Sequence, residues 1–274
     1  MSDTLAGLLQ VGALLLLLVL AYKPLGDYMA RVYSSESHWR LETVLYRIVR
    51  VDPNTEQRWP TYAAGVLGFS FVSVVFVYLF QRLQPFLPLG FGRGVDGDTV
   101  PASMAFNTAV SFVTNTNWQS YVPETVLGHT VQMAGLTVQN VVSAAVGMAV
   151  AIALVRGFAR SATDRLGNFW VDLTRGVVRI LLPFSFIAAI LLVAMGVTMS
   201  LRSGVDVTNV DGTQYTLPLA PTASQEAIKE FGTNGGGIFN ANSAHPFENP
   251  NALSNLFEIF LLLVIPVALT RTSA

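Results

Sequence analysis

Five stretches of this chain are apolar over roughly the length needed to cross a bilayer, and no other feature constrains its fold as strongly. They are residues 5–22 (LAGLLQVGALLLLLVLAY), 61–80, 130–155, 177–200 and 251–270. A hydrocarbon core about 30 Å thick needs roughly 20 apolar residues in a helix. Lipid offers no partner for backbone N–H and C=O groups, so such segments must be helical. Composition agrees: 52% of the 274 residues are hydrophobic and only 12% are charged, about half the charged share of a soluble domain. The expected fold class is an all-α integral membrane protein. Net charge is −1, which gives no hint of nucleic-acid binding, and the absence of cysteine excludes a disulfide framework and thiol chemistry. The first stretch has no positive segment before it, and Lys23 and Pro24 stand where a small-residue cleavage site would be. It is therefore expected to be an uncleaved first helix.

Basic residues fall into alternate loops. Lys23, Arg31, Arg40, Arg47, Arg50 and Arg58 separate the first two spans, Arg156, Arg160, Arg165, Arg175 and Arg179 surround the third and fourth, and Arg271 follows the fifth. The other side holds only Arg82, Arg93, Arg202 and Lys229. The positive-inside rule places the N-terminus outside and the C-terminus of this chain inside. Within the first inner loop, residues 37–50 space Leu41, Val44, Leu45, Ile48 and Val49 at helical intervals with arginines between. That pattern fits a helix on the inner membrane surface and an ordinary cytosolic loop helix equally well.

Two polar segments, VTNTNWQSY (113–121) and GTNGGGIFNANSAHPFENP (232–250), then stand on the outer side. Each follows a short stretch headed by a proline (101–113 and 222–232, with Pro101 and Pro221), and each precedes a span. Proline suits a helix start, where its missing N–H would be unpaired anyway. The order helix, half-helix, polar loop, helix thus occurs twice. The expected divisions are 1–60, an N-terminal helix and inner amphipathic loop; 61–156, a first helix–pore loop–helix repeat; 157–176, an inner linker; and 177–274, a second repeat. Irregular backbone at membrane depth is tolerated where it is buried in protein or lines a water-filled cavity, and a pore loop meets that condition.

The chemistry of such loops follows from their composition. A potassium filter replaces the ion's hydration shell with backbone carbonyls, and glycine permits the dihedrals that aim successive carbonyls at one axis. TNGGG supplies Gly235, Gly236 and Gly237, whereas TNTNWQ supplies no glycine and must be held by the side chains of Asn115, Asn117 and Gln119. TNTNWQ and TNGGG carry no carboxylate, in keeping with a monovalent cation, since divalent sites recruit carboxylates more often. Glu226 and Glu230 on the second half-helix either add field or are solvated. Gly135, Gln139, Ser143 and Gly147 recur four apart, which reads as close helix packing, with Gln132, Gln139 and Asn140 lining a vestibule as the alternative. Asp96, Asp98, Asp206 and Asp211 are expected in solvent. Walker A, HExxH and Asp-Lys-Thr-Gly motifs are absent, and His38, His129 and His245 lack metal spacing.

TNTNWQSY and FGTNGGGIFNANSAHPFENP closely resemble two segments of the potassium-translocating A subunits of Kdp-type potassium-pumping ATPases, and VDPNTEQRW and DRLGNFWVDLTR extend the likeness over the chain. That resemblance implies four pore loops around one pore. It makes Thr114, Asn115, Thr116, Asn117 and Gln119 a first filter strand, and Thr233, Asn234, Gly235, Gly236 and Gly237 a second, with potassium bound through their backbone carbonyls. It implies ATP hydrolysis on a P-type ATPase catalytic subunit and no ATP site in this chain. A small single-span subunit and a periplasmic-facing subunit would complete the complex, in a bacterial plasma (inner) membrane. Such chains are about twice as long, so this one is expected to be an N-terminal half. The alternatives are a truncated, non-conducting membrane protein and a potassium channel formed by pairing two copies.

Overall fold

The computed structural model describes residues 2–160, 163–239 and 242–272. Five long helices carry the apolar stretches: α1 (Asp3–Ser34), α3 (Trp59–Arg82), α5 (Val131–Ala159), α6 (Phe169–Ala194) and α8 (Ala252–Thr272). Among the described residues, three shorter helices of nine or more residues lie between them, α2 (Arg40–Ile48), α4 (Ala102–Val113) and α7 (Thr222–Phe231), with single helical turns at Gln84–Phe86 and Pro123–Val126. Among the described residues the protein is all-α apart from two small antiparallel ribbons, Gln57–Arg58 with Arg165–Gly167 and Gly204–Thr208 with Gln214–Pro218. The second is a hairpin between α6 and α7 whose tip, Val210, is fully exposed.

Two helices depart from the hydropathy bounds. α1 runs twelve residues past the apolar stretch ending at Tyr22, through Pro24, because Leu25, Gly26, Met29, Val32 and Tyr33 are buried in the bundle. Gly26 sits against Ala268 and Arg271 of α8, so no side chain fits there. α6 begins at Phe169 and stops at Ala194. Asn168 caps its start by accepting the Trp170 N–H, and Gly196, at φ +104°, breaks off the far end. Both α5 and α6 contain π-helical turns, over Val131–Thr137 and Gly176–Leu181.

Among the described residues the core has two main parts and a small third one, Ala220, Ile238 and Phe239, beside the second polar loop. The larger joins α1, α5, α6, α7 and α8 around Met29, Ile180, Leu181, Leu192 and Ile228. The smaller of the two main parts joins α3, α4 and α5 around Val77, Ala109, Phe112 and Leu136. The short helix α4 packs on α3 and α5, and α7 packs on α6 and α8. Each short helix is therefore wedged between the span before it and the span after it.

The opposite end is locked by charge. Arg156 of α5 grips Asp172 of α6 through both terminal nitrogens, at 2.5 and 2.9 Å, and Tyr62 of α3 donates to the same carboxylate at 3.1 Å. The helix α2 docks by its polar side. Glu42 is buried and pairs with Arg179 of α6, whose guanidinium lies over the Trp39 ring. Tyr46 is buried beside it, while Leu41, Val44 and Ile48 face outward with Arg40 and Arg47. Glu226 and Glu230, left between two readings by the sequence, are buried, and Asp96, Asp98, Asp206 and Asp211 are exposed.

Candidate functional site

Both short helices end in the same way. At the end of α4, the N–H of Asn115 bonds to the carbonyl of Phe112 (3.3 Å) and that of Thr116 to Ser111 (3.0 Å). At the end of α7, Thr233 bonds to Glu230 (3.0 Å) and Asn234 to Lys229 (2.8 Å). Asn115 and Thr233 are each the left-handed residue that reverses the chain, at φ 61° and 52°. The two Thr-Asn pairs are therefore one residue out of step. Thr233 occupies the backbone place of Asn115, Asn234 that of Thr116, and Gly235 (φ 81°) that of Asn117 (φ 62°). Asparagine tolerates the left-handed region because its short amide bonds locally. Thr233, β-branched, is held there by a hydroxyl bond to the Gly232 carbonyl at 2.8 Å.

Of the ten residues predicted from sequence, seven line one cleft of about 440 Å³: Thr116, Asn117 and Gln119 from the first loop, and Asn234, Gly235, Gly236 and Gly237 from the second. Trp118 and Tyr121 line it as well. The other three lie behind. Thr114 caps α4, its hydroxyl donating to the Val110 carbonyl at 2.9 Å. Asn115 turns its amide nitrogen to the Gly232 and Thr233 carbonyls, both at 3.3 Å, so it crosses from one loop to the other. Thr233 forms the turn already described.

The loops are braced by α5. Asn117 donates its amide to the side-chain oxygen of Asn140. Asn234 donates to the Asn115 side chain, to the Asn140 carbonyl (3.2 Å) and to the Ser143 hydroxyl (3.1 Å). Ser143 in turn donates to Asn115 Oδ1 at 2.8 Å. These buried amides and hydroxyls form one network, which makes the loops rigid in proportion to how fully it is satisfied. The four-residue spacing on α5 thus serves two ends: Gly135 packs against Phe80, while Ser143 and its neighbour Asn140 hold the loops. Asn140 was legible only as one of several amides in an apolar span. Gln119 reaches Tyr121 (3.3 Å), whose hydroxyl bonds to Gln81 of α3 (3.2 Å).

Chemically, the cleft presents neutral dipoles. Its walls are hydroxyls, amides, aromatic rings and the backbone of three glycines, and Gly236 meets Asn117 so closely that a methyl group would strike the Asn117 carbonyl. Outside it, Glu124 on the turn that follows the first loop is pushed up by burial. His245 is pushed down by burial and accepts the Phe247 N–H through Nδ1 at 3.1 Å. Among the described residues, no group of histidine and carboxylate side chains has metal-binding geometry.

Comparison with known proteins covers nearly the whole chain. A family model described as "Potassium-transporting ATPase A subunit" matches residues 12–273. The chain is 58% identical over 271 residues to a protein of Kineococcus radiotolerans, covering 99% of this chain and 48% of that protein. It is 60% identical over 273 residues to one from Rhodococcus jostii (99% and 47%) and 61% identical over 274 residues to one from Streptomyces griseus (99% and 48%). Each relative bears the name "Potassium-transporting ATPase potassium-binding subunit". The chain spans about half the length of these relatives.

Proposed function

Because the chain belongs to the potassium-transporting ATPase A subunit family, we propose that it supplies two strands of a potassium-selective pore entrance in an ATP-driven uptake complex. The observation that carries this reading is the cleft in which TNTNWQ and TNGGG meet, lined by neutral dipoles and turned by left-handed residues. Potassium sheds its water at modest cost when carbonyl oxygens replace it. In this reading Thr116, Asn117 and Gln119 face Asn234, Gly235, Gly236 and Gly237 across the ion path, and Thr114, Asn115 and Thr233 hold the strands in place. The ends of α4 and α7 point towards the same loops, and the negative end of each helix dipole favours a cation there.

The subunit binds the ion and does not hydrolyse ATP. A P-type ATPase catalytic subunit does so, with a small single-span subunit and a periplasmic-facing subunit completing the assembly. The excess of Arg and Lys at the α2 side supports an N-terminus outside and the end of α8 inside a bacterial inner membrane. A potassium-uptake assay on the assembled complex carrying Gly235→Asp tests the filter assignment. A carboxylate beside the Thr116 carbonyl is expected to weaken potassium affinity and admit other monovalent cations. Unchanged affinity together with unchanged exclusion of sodium and rubidium would sink it.

A further inference from the structure

The segment HPFENP (245–250) packs behind the glycine loop, and that place gives it a task. Glu248 is fully buried. Its Oε1 accepts two backbone N–H groups, from Ile238 and Phe239, both at 3.1 Å. The peptide unit is planar and trans, so the N–H of one residue and the C=O of the residue before it point opposite ways. Fixing the Ile238 N–H on Glu248 therefore turns the Gly237 carbonyl away from Glu248. Gly237 lines the cleft, and behind it a β-carbon would lie 2.7 Å from Glu248 Oε1 and 2.9 Å from Lys229 Nζ.

The rest of the segment holds Glu248 where it is. The His245 carbonyl accepts the N–H groups of Glu248 and Asn249, both at 2.9 Å, closing a turn. The His245 ring stacks on Phe239 with centroids 4.3 Å apart, and Phe247 meets the same ring edge-on. The Phe247 carbonyl accepts the Thr198 N–H at 3.0 Å, tying the turn to the end of α6. Lys229, fully buried on α7, lies 2.6 Å from Glu226 and 4.0 Å from Glu248, while its own carbonyl accepts the Asn234 N–H at the start of the loop. Lys229 thus holds the start of the TNGGG turn through its carbonyl and places its charge near the glutamate behind the turn's end.

We propose that Glu248 is a positioning residue for ion selection: through the Ile238 amide it aims the Gly237 carbonyl into the cleft, the Phe239 amide holding the next peptide on the same oxygen, with Lys229 close by on its other side. This rests on the filter reading of the cleft, and the test separates the two. Potassium and rubidium uptake are measured on the assembled complex carrying Glu248→Ala, Glu248→Asp or Glu248→Gln, with Gly236→Ala as the filter control. Glu248→Ala frees two buried N–H groups, so KM for potassium is expected to rise about tenfold or more, with the potassium-to-rubidium preference falling towards one. The maximal rate should change far less. Glu248→Asp draws the carboxylate back and should shift the preference in the same sense, which decides the matter if the alanine variant fails to assemble. Glu248→Gln keeps an accepting oxygen and should restore most of the preference. Wild-type preference in the Ala or Asp variant, while Gly236→Ala loses it, overturns the role of Glu248 alone. Wild-type preference in Gly236→Ala overturns the filter reading, and this inference with it.

Discussion

The backbone of Gly236 lies directly against the carbonyl of Asn117, so the two loops touch with no room for a side chain between them. Gly235 is looser: a β-carbon there would sit 3.5 Å from Asn242 Oδ1 and 3.7 Å from the Thr116 carbonyl, ordinary contact distances. Both have positive φ, at 74° and 81°, and share the conformational penalty of an L-residue there, about 1–2 kcal/mol. Gly236→Ala adds overpacking of about 1–3 kcal/mol. Gly236→Ala is therefore expected to raise KM for potassium well beyond Gly235→Ala. Equal effects in the same uptake assay would mean that the loop contact is slack.

Asn140 touches the two loops through different atoms, its side chain taking the Asn117 amide and its carbonyl the Asn234 amide. Asn140→Ala removes the first bond and leaves the second. A thermal-denaturation double-mutant cycle on the purified chain should give a coupling of roughly 1 kcal/mol for Asn140 with Asn117. The coupling of Asn140 with Asn234 should be near zero. Comparable couplings for both pairs would show that the α5 brace acts through packing.

Much of this arrangement was legible in the sequence. Hydropathy found all five spans, because a lipid-spanning helix has a length set by the bilayer, and set the ends of α3, α5 and α8 within a few residues, while α6 lies six to eight residues earlier than its apolar stretch. It failed where tertiary contact takes over from solvation: α1 continues past Lys23 and Pro24 because Met29 and Tyr33 are buried against other helices, which no local signal encodes. The Thr-Asn pairs marked both loops but misaligned them by one residue. The backbone turn falls on Asn115 in one and Thr233 in the other, and asparagine advertises a left-handed turn where threonine does not. Asn140 and Glu248 act at sequence distances that periodicity cannot reach.

Asp172 and Asp27 separate a buried ion pair from a surface one. Asp172, almost wholly buried, takes both Arg156 nitrogens and the Tyr62 hydroxyl. Asp27, with 38% of its side chain exposed, pairs with Lys23 at 3.1 Å and Arg271 at 3.0 Å. Asp172→Ala strands a buried guanidinium and should cost about 3–5 kcal/mol. Asp27→Ala should cost far less, and less still at high salt, where an exposed pair is screened. Melting temperatures of the two variants in detergent, with and without added salt, check the ranking.

All three histidines lie outside the spans, and burial lowers each below the ordinary imidazole value, with Arg175 adding to the effect at His38. Well above about pH 6.5 the folded and unfolded chains both hold these rings neutral, so they contribute no slope there. Below it the unfolded chain takes up protons first, and stability is lost as pH falls from the unfolded value to the depressed folded one. His245 has a specific reason to resist protonation, since Nδ1 accepts the Phe247 N–H and a proton there would abolish the acceptor. Carboxylates held high by burial, such as Glu124, act in the opposite sense, so the informative quantity is a difference. The melting temperature of the wild type minus that of His245→Gln, followed from about pH 7.5 down to about 5.5, should shrink steadily as the medium is acidified. A difference that stays flat over that range would mean His245 titrates alike in both states, leaving its stacking on Phe239 and its bond from the Phe247 N–H as pH-independent contributions.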